Sequence, residues 1–224
     1  KTRPSHGKAW FGETLDLTKM TEVQIAQSGI GRKFQKPTVF EALSVFENLE
    51  LAQKTDKSVW ASLRARLSGE QQDRIGEVLE TIRLTSSMQR PAGLLSHGQK
   101  QFLEIGMLLV QDPQLLLLDE PLSNLDANLR EEMQFEIRRI QNEVGITTLM
   151  VTHDQAEALS ISDRVVVMQA GRITQIDEPY KLYEHPRTRF ISGFVGKANM
   201  LQGDLDSSGI PQIRQLPGDG SLTL

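Results

Sequence analysis

The sequence predicts an α/β protein built around a parallel sheet, and three segments carry that prediction. Leu115–Leu118 is a short, continuous apolar run, which is typical of a strand buried in a parallel sheet, and Thr147–Thr152 (TTLMVT) predicts a second buried strand. Between them, apolar residues recur at helical spacing and predict an amphipathic helix: Leu129, Met133, Ile137, Ile140 and Val144. A strand, a helix and a second strand in this order form a right-handed crossover. We therefore expect both strands to end at the same edge of the sheet.

The composition limits the functions that the chain can have. Of its 224 residues, 38% are hydrophobic and 24% are charged, which is ordinary for a globular protein. The net charge of −4 argues against a general electrostatic attraction to nucleic acid. The chain has no cysteine, which excludes disulfides, thiol catalysis and thiolate metal sites. No apolar run approaches the roughly 18 residues of a membrane span, so any membrane contact is expected to go through a partner.

A hairpin is predicted near the first residue, around a turn at Phe11–Glu13. Just before it, Gly7 and Lys8 invite comparison with the phosphate-binding loop, GxxxxGK followed by Ser or Thr. The match fails, because Ala9 stands where the hydroxyl belongs and Thr2 where the first glycine belongs. We interpret this stretch as a β-turn, and no other stretch of the sequence matches that loop.

The middle of the chain predicts helices. One covers Phe40–Leu51, and a clearer one has four apolar residues on a single face: Ile75, Val78, Leu79 and Ile82. A break at Pro91–Gly93 follows, and a largely apolar stretch, Phe102–Val110, then predicts a buried helix.

The buried helix is preceded by LSHGQ at positions 95–99. Ser96 is a good N-cap, and Gly98 allows another backbone to approach closely. A helix start with a hydroxyl, N–H groups and the positive end of a dipole is an anion site. A simple helix cap is the alternative interpretation.

Polar residues follow both predicted strands. Asp119 and Glu120 end the first, and His153 follows the second. Adjacent residues at a strand end point in different directions, so one acid can hold a metal while the other activates a water. The alternative is a strand that ends in solvated acids, with a structural histidine nearby. Asp126 is predicted to cap the next helix and Gly145 to end it.

Beyond the second strand, the sequence predicts a hairpin formed by Arg164–Met168 and Arg172–Ile176. Two short helices follow, Glu178–Glu184 and Thr188–Phe194. After Lys197 the composition shifts to Gly, Pro, Asp and Ser, which predicts the start of a second, β-rich domain.

Four motifs in one order resemble the ATP-binding subunits of ABC transporters. Gln35 is similar to the glutamine of the Q-loop, and LSHGQ is similar to the family signature, with His97 where glycine is usual. LLLLDE (115–120) resembles Walker B, SNLD (Ser123–Asp126) resembles the D-loop, and His153 resembles the switch histidine. The resemblance implies a P-loop NTPase-type parallel sheet core over residues 1–198, with a helical subdomain at about 37–105. It also implies that residues 199–224 begin a truncated OB-like regulatory domain.

The resemblance also implies roles for these residues. Two such subunits are expected to enclose two ATP molecules, with Asp119 and Gln35 on Mg²⁺. Glu120 would be the general base that orients the attacking water, and His153 would contact the γ-phosphate. Asp126 would couple the two sites across the dimer.

The signature residues Ser96, His97, Gly98 and Gln99 are expected to bind the nucleotide held by the second subunit. By the same resemblance, the partners are a second ATPase subunit and polytopic membrane permease subunits, and no nucleic acid. The chain would act at the cytoplasmic face of the inner membrane and power solute import. The phosphate loop is expected upstream of residue 1, so the chain alone is expected to be inactive.

Two other functions stay open: a non-catalytic or defective fragment that contributes only its signature half to a composite site, and a soluble ABC ATPase outside transport. Within the importers, the resemblance changes along the chain. Residues 1–114, and Arg90–Pro113 in particular, are similar to the ATPases of urea and branched-chain amino-acid importers. Residues 122–200 are similar to those of iron, polyamine, sulfate or sugar importers.

Overall fold

The computed structural model describes residues 7–33, 38–53, 67–123, 125–196, 203–205 and 211–213. The chain forms two compact units, Lys1–Glu157 and Ala158–Leu224. The strands are β1 (Trp10–Phe11), β2 (Leu15–Asp16), β3 (Ile30–Lys33), β4 (Leu115–Asp119), β5 (Thr147–Val151), β6 (Val165–Gln169), β7 (Arg172–Asp177), β8 (Gly203–Leu205) and β9 (Pro211–Ile213). The helices are α1 (Glu22–Gln27), α2 (Val45–Ala52), α3 (Gly69–Thr81), α4 (His97–Leu109), α5 (Ala127–Val144), α6 (Gln155–Ile161), α7 (Pro179–Glu184) and α8 (Arg189–Val195). Among the described helices, none is long and apolar enough to cross a membrane.

The first unit is organised around a parallel sheet in the order β3-β4-β5. The middle strand is the predicted leucine run, and Leu117 pairs with Arg32 on one side and Leu149 on the other. Leu116 and Leu118 point into the main core and are buried. The parallel sheet and the helix between β4 and β5 confirm the predicted fold class.

The second predicted strand, β5, is more exposed than its apolar sequence indicated. Met150 packs against the core, but Leu149 and Val151 remain 51% and 47% exposed. Successive residues of a strand point to opposite faces, and only one face of β5 packs on the core. A run of apolar residues does not reveal which face is covered, so the expectation of a fully buried strand was wrong here.

The helices of this unit pack where their periodicity predicts. All four apolar residues of the second predicted helix are buried: Ile75, Val78, Leu79 and Ile82. On α5, Met133, Ile137 and Ile140 are buried, whereas Val144 is 39% exposed because it lies in the last turn before Gly145. Helix α2 begins at Val45, later than the predicted Phe40, because the Ser44 side chain caps it.

The hairpins are also confirmed. β1 pairs antiparallel with β2, and β6 pairs antiparallel with β7 across Ala170 and Gly171, whose φ angles are 49° and 76°. Two consecutive positive φ angles match the twist of two-residue hairpins. The second unit has its own core, formed by Val167, Leu182, Ile191 and Val195. β8 and β9 form an antiparallel pair, and the domain boundary after residue 198 stays a prediction.

Candidate functional site

The two adjacent acids at the end of β4 have different partners. Asp119 Oδ2 lies 3.0 Å from Arg32 Nη2 on β3. Glu120 Oε1 lies 3.3 Å from His153 Nδ1, which follows β5. The acids therefore diverge, as expected from the strand geometry, and the crossover brings Glu120 and His153 together at one edge of the sheet.

Glu120 has a left-handed backbone, with a φ of 45°. A side chain in this region costs about 1–3 kcal/mol and persists only where the surroundings hold it. Two hydrogen bonds do so: the Glu120 N–H donates to the Val151 carbonyl at 2.8 Å, and the Ser123 hydroxyl donates to the Glu120 carbonyl at 3.0 Å. The chain turns sharply there and separates the Glu120 carboxylate from that of Asp119. Nothing in the sequence signals this conformation.

A shallow cleft adjoins the Glu120–His153 pair. Its lining comes from the segments that follow β4 and β5 and from the first turns of α5 and α6: Glu120, Ser123, Arg130, Thr152, His153, Asp154 and Glu157. His153 is 75% exposed, so its ring is open to a ligand from solvent. Sequence analysis missed Arg130 and Glu157 as members of this cleft, because each appeared to be an ordinary helix residue.

The signature segment forms the start of α4. Ser96 Oγ accepts from the Gln99 N–H at 3.3 Å, and Gln99 Oε1 accepts from the Ser96 N–H at 3.0 Å. This is a capping box, so the predicted N-cap is confirmed. Ser96 and His97 are exposed. Their role toward a nucleotide stays a prediction.

We expect Ser96→Ala to lower the free energy of unfolding by about 1 kcal/mol, because it removes the acceptor for an N–H at the helix start. Urea denaturation followed by circular dichroism measures this change. Ser96→Thr is the matched control and retains the hydroxyl, so it should cost less. Equal losses in the two variants would contradict the capping role.

Gly98 allows the start of α4 to approach α5. A Cβ at this position would lie 3.2 Å from Leu129 Cδ1 and 3.7 Å from Met133 Sδ. The close approach predicted for Gly98 is therefore an approach of two helices within the first unit.

Charged residues flank the signature. Lys100 Nζ lies 2.7 Å from Glu41 Oε1. The hydrogen bond from Lys100 and its positive charge lower the pKa of the Glu41 carboxyl below the ordinary value. The signature helix is thus tied by a charge pair to the segment that precedes α2.

Asp119 suits a magnesium ion that also binds phosphates. Mg²⁺ is commonly held by one or two carboxylates together with substrate phosphates and water, and Asp119 offers a partly exposed carboxylate at the strand end. Arg32 donates to the Oδ2 atom of that carboxylate. In the described part of the chain there is no group of three or more potential metal ligands. The second predicted ligand, Gln35, lies outside the described residues.

Asp126 lies at the start of α5, where its Oδ1 accepts from the Leu129 N–H at 3.0 Å. The predicted cap is confirmed, and the side chain is exposed. Apart from Asp126, the predicted site residues that the structure describes in the first unit form two groups. One lies at the carboxyl edge of the sheet (Asp119, Glu120 and His153), and the other lies at the start of α4 (Ser96–Gln99).

Comparison with known proteins identifies import ATP-binding proteins as relatives of this chain. The maltose/maltodextrin import ATP-binding protein MalK of Salmonella typhimurium is 38% identical over 221 residues, which cover 97% of this chain and 57% of that protein. The spermidine/putrescine import ATP-binding protein PotA of Chromobacterium violaceum is 42% identical over 189 residues, which cover 84% of this chain and 50% of that protein. The chain thus spans about half the length of these curated relatives.

Among solved structures, an ATP-binding cassette of an ABC transporter in its ADP conformation is similar, with a TM-score of 0.66 and 27% identity. The match covers 84% of this chain and 77% of that one. The family profile described as ABC transporter matches residues 1–123, more than half of the sequence. The chain therefore belongs to the ABC transporter family.

Proposed function

We propose that this chain is part of an ATP-binding and ATP-hydrolysing subunit that powers solute import through an ABC transporter. The observation that carries the proposal is the Glu120–His153 pair, 3.3 Å apart at the end of adjacent parallel strands. A carboxylate beside an exposed imidazole suits a base that orients water next to a group that contacts the transferred phosphate. The relatives MalK and PotA are import ATP-binding proteins, which favours import over other functions of the family.

The remaining residues take supporting roles in this proposal. Asp119 and Gln35 would hold Mg²⁺, which neutralises charge on the phosphates when bound. Ser96, His97, Gly98 and Gln99 would bind the nucleotide of a second subunit, because a helix start presents N–H donors to anions. Asp126, exposed at the start of α5, would act across the same dimer. Permease subunits in the membrane would be the second kind of partner, with the chain at the cytoplasmic face.

We also propose that the 224-residue chain does not hydrolyse ATP by itself. Its sequence contains no GxxxxGK followed by Ser or Thr, and that loop cradles the phosphates in P-loop enzymes. The second candidate function is a signature-only contribution to a composite site, for which the start of α4 at Ser96–Gln99 would suffice.

A chimera tests the two proposals together. The phosphate-loop unit of the Salmonella MalK relative is fused ahead of residue 1, and ATP turnover is measured for the chain and for the chimera. We expect no turnover from the chain, turnover from the chimera, and a loss of about 10²–10⁴-fold in kcat for Glu120→Gln, since that is what a general base contributes.

Glu178→Gln is the matched control, because Glu178 is exposed, lies in the second unit and pairs with Lys181 three residues away, and it should leave turnover unchanged. Turnover by the unmodified chain would overturn the proposed inactivity. A chimera that binds ATP and hydrolyses it equally well with Glu120→Gln would overturn the proposed catalytic role.

A further inference from the structure

Arg130 connects two loops of the candidate site. It lies in the first turn of α5, and its Nη2 donates to the Leu125 carbonyl at 3.0 Å. Its Nη1 donates to Asp154 Oδ2 at 3.3 Å. Leu125 directly precedes Asp126, and Asp154 directly follows His153. The Arg130 guanidinium therefore joins the backbone next to Asp126 to the side chain next to His153.

The turn that carries His153 is held by a buried carboxylate. The Glu157 side chain is 3% exposed, and its Oε2 accepts from the Thr152 hydroxyl at 2.6 Å. The Asp154 N–H donates to Thr152 Oγ1 at 3.0 Å, and the Glu157 N–H donates to Asp154 Oδ1 at 3.1 Å. The residues on both sides of His153 are thus bonded to each other and to Glu157.

Arg130 supplies the positive charge that this buried carboxylate needs. Arg130 Nε lies 3.8 Å from Glu157 Oε1. A buried charge is tolerated where an opposite charge lies near it and hydrogen bonds satisfy its atoms. The guanidinium is planar, permanently charged and carries five donors in a fixed geometry. It can face Glu157 and Asp154 while it still reaches the Leu125 carbonyl. The single nitrogen of a lysine ammonium cannot reach all three partners.

We propose that Arg130 is a positioning residue that couples the loop before Asp126 to the turn that carries His153. A shift of either loop changes the geometry at the guanidinium, and the planar group transmits the change to the other loop. If the proposed function holds, this coupling would link the residue expected to act across the dimer with the one expected to contact the γ-phosphate.

The test uses the nucleotide-free chain, so it does not depend on ATP. Amide hydrogen exchange is measured at Leu129 and Arg130, whose N–H groups bond to Asp126, and at Asp154 and Glu157. Arg130→Gln removes the charged hydrogen bonds that hold both loops, so it should raise exchange at both places about tenfold or more. Arg130→Lys keeps the charge and is the variant to use if the first does not fold.

The decisive measurement is the effect of Glu157→Gln on amide exchange at the start of α5. In the wild-type chain it should raise exchange at Leu129 and Arg130 as well as within 152–157. In the Arg130→Lys background the effect at the start of α5 should disappear. If Glu157→Gln acts only within 152–157 in the wild type, the proposal is overturned.

A spectroscopic readout separates positioning from stability. The chain has four histidines, so the ring signals of a ¹³C-histidine sample are few and can be assigned by substitution. Arg130→Lys should shift the His153 signal, whereas Arg139→Gln should not. Arg139 lies on the same helix but bonds to Thr81 and two glutamates away from the site. An unmoved His153 signal, or equal shifts in both variants, would contradict the proposal.

In the chimera described above, Arg130→Lys should lower kcat several-fold at an unchanged KM for ATP. If the proposed function itself fails, the chimera shows no turnover at all, while the exchange and resonance measurements still decide on the coupling.

Discussion

Glu104→Leu is expected to lower the free energy of unfolding of the first unit by about 3–5 kcal/mol, the usual cost of breaking one side of a buried ion pair. Glu104 on α4 and Lys33 at the end of β3 form such a pair, with Glu104 Oε2 and Lys33 Nζ 3.0 Å apart. Their side chains are only 4% and 5% exposed. The variant leaves the Lys33 ammonium buried without its carboxylate, and that uncompensated charge dominates the loss.

Glu104 makes a second contact, and its loss adds to the cost of the substitution. Its Oε1 accepts from the Thr38 backbone N–H at 2.8 Å. A buried donor that loses its acceptor costs about 1–3 kcal/mol. One carboxylate of the signature helix thus holds the last residue of β3 and Thr38, the two described residues that flank positions 34–37.

Equilibrium urea denaturation measures the change, and two variants control it. Lys33→Met combined with Glu104→Leu removes both charges and should recover the part of the loss that comes from the unpaired Lys33 charge. The loss of about 1–3 kcal/mol from the Thr38 N–H should remain. Glu77→Gln removes one partner of the exposed pair with Arg74 and should change stability by less than about 1 kcal/mol. A double variant as unstable as Glu104→Leu alone would show that the charge imbalance is not the cause.

The parts of this unit that could be predicted from sequence are those with a local or periodic signal. The Leu115–Leu118 run predicts a buried strand of a parallel sheet because it is apolar throughout. Ser96 and Asp126 predict helix starts because a side-chain oxygen before a helical segment accepts its orphan N–H groups. The position of His153 beside Glu120 follows from the crossover rule, which needs only the order of the elements.

The contacts that could not be predicted join side chains distant in the sequence. Arg32 pairs with Asp119, which is 87 positions away, and Lys33 pairs with Glu104 on another element. Neither basic residue belongs to a periodic pattern, and on a strand each could equally have faced solvent. The exposure of β5 was missed for a related reason, because coverage of a strand depends on elements that its own residues do not specify.

Gly106→Val is expected to lower the free energy of unfolding by about 3 kcal/mol, at the upper end of the usual cost of overpacking a filled core. Gly106 lies within α4 where three helices meet. A Cβ there would lie 2.7 Å from Ile82 Cδ1, 3.2 Å from Leu49 Cδ2 and 3.3 Å from Val78 Cγ1. All three neighbours are buried to 2% exposure or less, so none can move aside without displacing others.

Helix propensity favours replacing glycine by alanine, whereas the close contacts at Gly106 oppose it. A second glycine without such contacts allows these two effects to be separated. Glycine in a helix interior is about 1 kcal/mol less favourable than alanine. Gly76 in α3 provides the control, since no atom lies within 4 Å of its added Cβ. Gly76→Ala should therefore stabilise the chain by up to about 1 kcal/mol, whereas Gly106→Ala should gain less or lose stability, because the contact with Ile82 opposes the gain.

Thermal or urea unfolding of the four variants, alanine and valine at each glycine, gives the comparison. The difference between the valine variants isolates the packing at Gly106, because the preference of valine for a helix is common to both positions. If Gly106→Val and Gly76→Val lose the same stability, the three helices do not pack through Gly106 as closely as these distances require. A large loss only at Gly106 identifies this glycine as the residue that allows α4 to approach α2 and α3, and so sets where the signature helix lies in the unit.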